Sequence, residues 1–92
     1  MSMAMPMVVR KAREQLGAVT GLPVSSTVSA RKEDGGWRVE VEVVEKKSLP
    51  DSQDILARYE LTLDEAGDLL NFSRVGMRRR ADAAPAGAES GA

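Results

Sequence analysis

The sequence of 92 residues has no cysteine and no histidine, and it contains one tryptophan, one tyrosine and one phenylalanine. Without cysteine, no disulfide can support the fold, and no thiolate can act as a nucleophile or a metal ligand. Without histidine, Ser-His-Asp catalysis, Cys/His zinc sites and the usual proton shuttle of neutral pH are excluded. We therefore predict a chain that is not an enzyme and that binds neither a cofactor nor a metal ion.

Excess charge and long apolar runs are also lacking. The 13 basic and 14 acidic residues leave a net charge of −1, which argues against bulk electrostatic binding of nucleic acid or an anionic membrane. The longest uncharged run after the N-terminal methionines, residues 16–30, contains glycine, proline and several serine and threonine residues, so it cannot span a membrane. The apolar start is too short for a secretion signal. We expect a cytoplasmic protein.

A helix is predicted near the N-terminus, with Pro6 in its first turn. Apolar side chains recur there at intervals of three and four residues, which places them on one face, and charged residues occupy most of the other face. The apolar face consists of Val8, Ala12, Leu16 and Val19. We expect Gly21 to end this helix in a left-handed conformation and Pro23 to prevent its continuation.

From residue 24 onward, apolar and polar residues alternate, which predicts four antiparallel strands joined as a meander. The glycine-rich segment 34–36 predicts a hairpin turn between the first two strands, and residues 64–68 predict a turn before the last strand. The last strand is expected to run from Leu69 to about Arg79. The residues expected on the core face are Val24, Ser26, Val28 and Ala30 in the first strand, Trp37, Val39, Val41 and Val43 in the second, and Ile55, Ala57, Tyr59, Leu61 and Leu63 in the third.

A single sheet with one apolar face and a single amphipathic helix predict an α+β fold. In this fold the N-terminal helix packs on one face of a four-stranded antiparallel meander sheet. The length allows one domain, which we expect to comprise residues 6–80 after a flexible N-terminus at residues 1–5. Residues 81–92 are rich in alanine and offer no large apolar side chain to bury, so we expect a disordered tail.

The fourth strand is predicted to contain a bulge. Leu69 is expected beside Leu63 on the core face, and strict alternation after it would turn Phe72 into solvent. One extra residue near Leu70 or Asn71 would return Phe72 to the core.

Charge predicts the register of strands two and three and the exposure of the loop between them. Pairing Arg38 with Glu60 and Glu40 with Arg58 would give two favourable cross-strand ion pairs. The loop at residues 46–53 then lies open, and we expect it to be mobile and to face a partner, with Leu49 exposed.

Acidic residues gather on or near the sheet face that the helix leaves uncovered. Paired carboxylates can serve as a general acid and base or bind a hard cation. An ordinary solvated strand face is the alternative, and it is favoured because nothing in the sequence indicates a cleft that would shift their pKa values. These residues are Glu40, Glu42, Glu45 and Glu60.

Arginines concentrate at the end of the predicted fourth strand, at Arg74 and residues 78–80. They could bind an acidic partner, a phosphate or a nucleic acid backbone. Equally, charges on an edge strand prevent edge-to-edge aggregation. No aromatic residues are interleaved with these arginines, which disfavours nucleic acid in particular.

Several segments resemble the gas vesicle protein O family (GvpO). The centre of the resemblance is a tryptophan-led ladder of valine and glutamate, followed by a proline-containing loop and a Tyr-Glu strand. The similar segments are residues 12–16, 36–45, 49–51, 54–64 and 67–69. The family usually ends its last strand in an Arg-Arg-Tyr type of run, whereas this sequence has Gly-Met-Arg-Arg-Arg at residues 76–80.

The resemblance implies a non-enzymatic accessory protein for gas vesicle formation, located in the cytoplasm and associated with gas vesicles. Such a protein would act through contacts with other gas vesicle proteins. The alternative is a small regulatory domain that binds nucleic acid through its C-terminal arginines. Possible partner-binding residues are Arg38, Glu40, Glu42, Leu49, Arg58, Glu60, Arg74, Arg78, Arg79 and Arg80.

Overall fold

The computed structural model describes residues 4–82, and these residues form one helix packed on one antiparallel sheet. The sheet order is β1-β2-β3-β4, so the predicted α+β meander is confirmed. Within the described residues, no helix has both the length and the apolar character needed to cross a membrane. Most of the expected flexible N-terminus and disordered tail, residues 1–3 and 83–92, lies outside the described residues. The elements are α1 (Met5–Thr20), β1 (Val24–Glu33), β2 (Gly36–Lys46), a 3-10 turn (Asp51–Gln53), β3 (Ile55–Asp64) and β4 (Leu69–Arg79).

Helix α1 begins and ends as its sequence predicts. Proline stands in its first turn, and Gly21 closes it with a φ of 71°, donating its N–H to the carbonyl oxygen of Gly17 at 2.8 Å. The predicted contacts of Val8, Ala12 and Leu16 with the sheet are confirmed, since all three are buried in the core. Val19 was expected there too, but its side chain is 50% exposed. Leu22 and Val24, which follow the turn, pack against the core instead.

The core lies between α1 and one face of the sheet, which we call the helix face. Trp37 is 4% exposed, so its predicted place in the core is confirmed. Tyr59 and Ile55, expected in the core, are half-buried, and Tyr59 packs against the core's margin. The sheet residues that are fully buried in the same core are Val39, Val41, Val43, Ala57, Leu61 and Leu63.

The register between β2 and β3 differs from the charge-based prediction. Glu40 lies opposite Glu60, and Glu42 lies opposite Arg58. The predicted pairs of Arg38 with Glu60 and of Glu40 with Arg58 are therefore wrong. A diagonal contact offsets part of the repulsion, because Arg38 Nη1 donates to Glu60 Oε1 at 2.9 Å.

Close backbone packing at Gly36 explains the observed register. Gly36 lies opposite Asp64, and a Cβ atom at Gly36 would collide with the carbonyl oxygen of Leu63. The charge-favoured register would bring Asp34 opposite Asp64 and remove the glycine from this contact. Steric fit at one backbone position thus outweighs a few cross-strand ion pairs, each of which contributes about 0.2–1 kcal/mol.

The predicted bulge in β4 is confirmed. Leu69 lies opposite Leu63, Leu70 is the extra residue, and Phe72 lies opposite Leu61 on the helix face. The side chain of Phe72 is nevertheless 40% exposed, because α1 packs mainly on β1 and β2 and leaves β4 less covered.

Strand β1 does not alternate as predicted. Two register shifts against β2 set Ser26 opposite Glu42 and Thr27 opposite Val41, so Ser26 is on the face away from the helix and Thr27 is on the helix face. The alternation expected from Val24 to Ala30 is therefore wrong. Serine and threonine fit either face, so their pattern carries little information on where a bulge occurs.

Candidate partner-binding surface

The face of the sheet away from α1, here called the open face, carries a network of cross-strand ion pairs near the β1–β2 hairpin. Arg38 Nε lies 3.0 Å from Glu33 Oε2, and Arg38 Nη1 lies 2.9 Å from Glu60 Oε1. The guanidinium of Arg38 lowers the pKa of Glu33, and hydrogen bonding to Glu33 raises the pKa of Arg38. Beside this network, Ser29 donates its hydroxyl to Glu40 Oε1 at 3.3 Å.

At the other end of the open face, Glu42 is buried rather than solvated. It is 2% exposed, and both of its oxygens accept hydrogen bonds from Arg78, Oε2 from Nε at 2.8 Å and Oε1 from Nη2 at 2.9 Å. Ser26 donates to the same carboxylate at 3.3 Å. The bond to Glu42 raises the pKa of Arg78. The expectation of a fully solvated open face is therefore wrong at Glu42, because Arg78 folds over it.

The predicted arginine cluster does not form one basic patch. Arg74 lies on the helix face and bonds Glu45 at 2.8 Å, whereas Arg78 crosses the open face to Glu42. Hydrogen bonding to Glu45 raises the pKa of Arg74. The next two arginines have their own carboxylates, Arg79 with Asp82 at 3.7 Å and Arg80 with Asp54 at 3.3 Å. Neutralisation by four separate partners weakens the electrostatic case for nucleic acid binding.

Asp54, which the sequence did not single out, ties the β2–β3 loop to the end of β4. The carboxylate is fully buried; Oδ1 accepts the backbone N–H of Ser48 at 2.8 Å, and Oδ2 accepts Lys47 Nζ at 3.0 Å and Arg80 Nη2 at 3.3 Å. The Ser48 bond, supported by the two cations, lowers the pKa of Asp54. The backbone N–H of Arg80 donates to the Asp54 carbonyl at 2.8 Å, which extends β4 past its last ladder pair.

Leu49 protrudes from this loop, next to a cis peptide bond to Pro50. Its side chain is 93% exposed, which confirms the predicted exposure. The mobility of the loop and its contact with a partner stay predictions.

Strand β4 exposes four large apolar side chains that the sequence reading did not identify as a candidate site. As the last strand of the sheet, it has one edge with no neighbouring strand among residues 4–82. A second register shift in β4, between the residues opposite Arg58 and Tyr59, adds an extra residue at Val75 that was not predicted. These four residues, here called the β4 surface, are Leu70 (63% exposed), Phe72, Val75 and Met77 (59% exposed).

Arg58 is the remaining predicted site residue on the open face. It lies between Glu42 of β2 and Gly76 of β4 in the ladder. Its Nε atom is buried and has no hydrogen-bond acceptor among the described residues.

The acidic residues do not form a metal site within residues 4–82, where no group of three or more acidic side chains is placed to hold an ion. Asp64 stabilises the turn instead, because its Oδ1 accepts hydrogen bonds from the backbone N–H groups of Ala66 and Asp68 at 2.9 and 3.0 Å. Together with the φ of 85° at Gly67, these bonds close the β3–β4 turn.

The chain matches the family model described as gas vesicle synthesis protein GvpO over residues 1–84. It belongs to this family. The match confirms the resemblance read from the tryptophan-led ladder and the loop that follows it.

Named GvpO relatives come from archaea and bacteria. The chain is 40% identical over 72 residues to gas vesicle protein O1 of Halobacterium salinarum, which is 78% of this chain and 60% of that protein. It is 40% identical over 68 residues to gas vesicle protein O of a Streptomyces species, 74% of this chain and 53% of that protein. Gas vesicle protein O of Haloferax mediterranei is 47% identical over 47 residues, 51% of this chain and 34% of that protein. The chain thus spans at most three-fifths of these relatives, and no solved structure matches it significantly.

Proposed function

We propose that this chain is a non-enzymatic accessory protein of gas vesicle formation, which acts in the cytoplasm by binding other gas vesicle proteins. Membership of the GvpO family is the observation that carries the proposal, because the family is described as a gas vesicle synthesis protein and the relatives are named gas vesicle protein O. The absence of cysteine and histidine from the sequence supports a binding role, since it leaves few groups suited to catalysis.

The β4 surface is the part of the molecule that best suits such contacts. An edge strand offers unpaired backbone groups to an added strand, and exposed apolar side chains rimmed by polar residues are typical of protein interfaces. Natural proteins usually protect long edge strands with charges. Arg74 and Arg78 instead bond Glu45 and Glu42, and Met77 stays 59% exposed although Arg74 Nη2 lies 3.3 Å from its Sδ atom.

Under this proposal, some of the predicted site residues stabilise the fold and others are available to a partner. Arg38, Glu60, Arg74 and Arg78 form ion pairs within the chain, as do Glu42, Arg79 and Arg80, so we assign them first to holding the fold. Leu49 and Arg58 are better placed for a partner, because Leu49 is exposed and Arg58 has no ion pair among the described residues. Glu40 contributes charge to the same open face as Arg58.

Co-expression with the gas vesicle genes of the host tests the proposal. We expect gas vesicle proteins to co-purify with the tagged chain and to be lost when Leu70→Ser and Met77→Ser are combined. Val19→Ser is the matched control, because it removes an equally exposed apolar side chain from α1. If no gas vesicle protein co-purifies with the unmodified chain, the proposal is wrong. Salt-sensitive recovery of nucleic acid instead would favour the alternative function.

A further inference from the structure

Arg58 is a half-buried cation in the middle of the open face; its Nε atom is buried, and it has no carboxylate partner among residues 4–82. Glu42 lies opposite it in the ladder, but both Glu42 oxygens already accept hydrogen bonds from Arg78 and one also accepts from Ser26. The Nε–H of Arg58 is buried and lacks an acceptor in the described part of the chain. A buried N–H donor of a charged group that has no acceptor reduces the free energy of unfolding. A ligand that accepts a hydrogen bond from this group would therefore be stabilised.

Gly76 leaves room for such a partner above Arg58. A cavity of about 80 Å³ opens there, lined by Glu42, Arg58, Gly76, Met77 and Arg78. A Cβ atom at Gly76 would lie 3.5 Å from Arg58 Nη2. The first atom of any side chain at this position would therefore contact the guanidinium, and a branched side chain would fill the opening. The missing side chain of Gly76 keeps Arg58 accessible from the edge of the sheet.

The charges around the cavity favour one class of ligand. Arg78 neutralises Glu42, so Arg58 leaves the cavity with a single positive charge. A carboxylate carries one negative charge and can accept two parallel N–H bonds from a guanidinium. A doubly charged phosphate would leave excess negative charge close to Glu42. At about 80 Å³ the cavity is smaller than the roughly 150 Å³ of a cavity that holds benzene, so it suits a small group such as a carboxylate.

We infer that the cavity over Arg58 is a binding site for a carboxylate side chain of a partner protein. An extended segment paired with the edge of β4 would direct alternate side chains to the open face, next to Gly76. Such a segment would be apolar where it meets the helix face and acidic where it meets Arg58. The identity of the partner rests on the proposed function, whereas binding of the carboxylate does not.

Titration of the isolated chain with sodium acetate tests the site directly. The probe is the ¹H–¹⁵N resonance of the Arg58 Nε–H group, identified by its loss in Arg58→Lys, with sodium chloride at equal ionic strength as the reference titration. We expect acetate, and not chloride, to shift this resonance in a saturable manner. Gly76→Val should abolish the shift by covering the guanidinium. Asn71→Val, also on the open face of β4, should leave it unchanged.

Three results would overturn the inference: no acetate-specific shift, an equal shift with chloride, or an unchanged shift in Gly76→Val. If Gly76→Val does not fold, Gly76→Ala replaces it, since its Cβ atom meets Arg58 at an ordinary contact distance and should weaken binding. Acetate binding without co-purified gas vesicle proteins would leave the site intact and contradict the proposed function. Co-purification without acetate binding would contradict the site alone.

Discussion

The two edge strands of the sheet are protected in different ways. Strand β1 is rich in serine, threonine and charged residues, lies under α1, and exposes no large apolar side chain within residues 24–33. Strand β4 is less covered by the helix and exposes the four apolar residues of the β4 surface. In a domain this small, apolar area that stays in water contributes nothing to the folding free energy. The contrast indicates that β1 serves the fold, whereas β4 is suited to a partner.

The largest difference in stability is expected between two aromatic residues, one on a strand that α1 covers and one on β4, which α1 covers less. Trp37→Ala should reduce the free energy of unfolding by about 3–5 kcal/mol, because the indole is buried under α1. That is a large part of the stability of a domain of this size, roughly 4–10 kcal/mol. Phe72→Ala should cost clearly less, because Phe72 is partly exposed. Urea unfolding of both variants measures the difference, and equal losses would contradict the contrast.

Arginines on the two edges should differ in the opposite direction, with the larger loss of stability on β4 and a smaller overall effect. Arg78→Ala should cost about 1.5–3 kcal/mol, as for hydrogen bonds to a charged group, because it removes the cation that bonds both oxygens of the buried Glu42 carboxylate. Arg31→Ala is the matched variant on β1, and it removes an exposed ion pair with Glu33 that contributes little. Chemical denaturation of each variant gives the comparison. Similar stability for both variants would mean that Glu42 gains water or another partner when Arg78 is removed.

Acid should weaken the β4 end of the molecule through Asp54. Hydrogen bonds lower the folded-state pKa of Asp54 below its ordinary value of 3.8, so the unfolded chain binds its proton more readily. The stabilisation is therefore complete above that ordinary value and is lost as the pH falls through the lower folded-state pKa.

Asp54→Asn should remove this part of the pH dependence. The difference in unfolding free energy between the native chain and Asp54→Asn should be largest at neutral pH and should shrink in acid. Glu33→Gln is the control near the β1–β2 hairpin, where the pKa is also lowered but the carboxylate is exposed to solvent, so its gap should be smaller. Urea melts at several pH values measure both gaps. A constant gap for Asp54→Asn down to strongly acidic pH would show that its hydrogen bonds do not depend on its charge.

The smallest change in stability is expected at the β4 surface itself. Combining Leu70→Ser with Met77→Ser should alter the free energy of unfolding by no more than about 1 kcal/mol, because both side chains are mostly exposed. Val19→Ser should behave alike. A loss comparable to that of Trp37→Ala would mean that the β4 surface belongs to the core of the isolated chain.

The main outline of the fold could be predicted because local chemistry decides it. Gly21 ends the helix, the glycines at residues 34–36 form the hairpin, and the positions of Leu69 and Phe72 require the bulge at Leu70. The β2–β3 register could not be predicted from charge, because the deciding contact is between two backbones at Gly36.

The candidate site was predicted less well, because it depends on contacts between residues distant in sequence. Arg78 and Arg80, two residues apart, bond the carboxylates of Glu42 and Asp54 on other elements, which no local pattern reveals. Burial of Glu42 and Asp54 follows from arginines that lie 36 and 26 residues away. Exposure at β4 depends on where one helix of limited width lies across four strands.

Amide hydrogen exchange, measured on the free chain and on the complex captured from cells that make gas vesicles, tests the central claim most directly. Amides on the unpaired edges of β1 and β4 both exchange with solvent in the free chain. A slower exchange at either edge in the complex therefore shows that a partner covers that edge. We predict that partner binding slows exchange in Leu69–Arg79 and leaves Val24–Glu33 unchanged. Slower exchange in β1 without a change in β4 would contradict the assignment of β4 as the partner-binding edge.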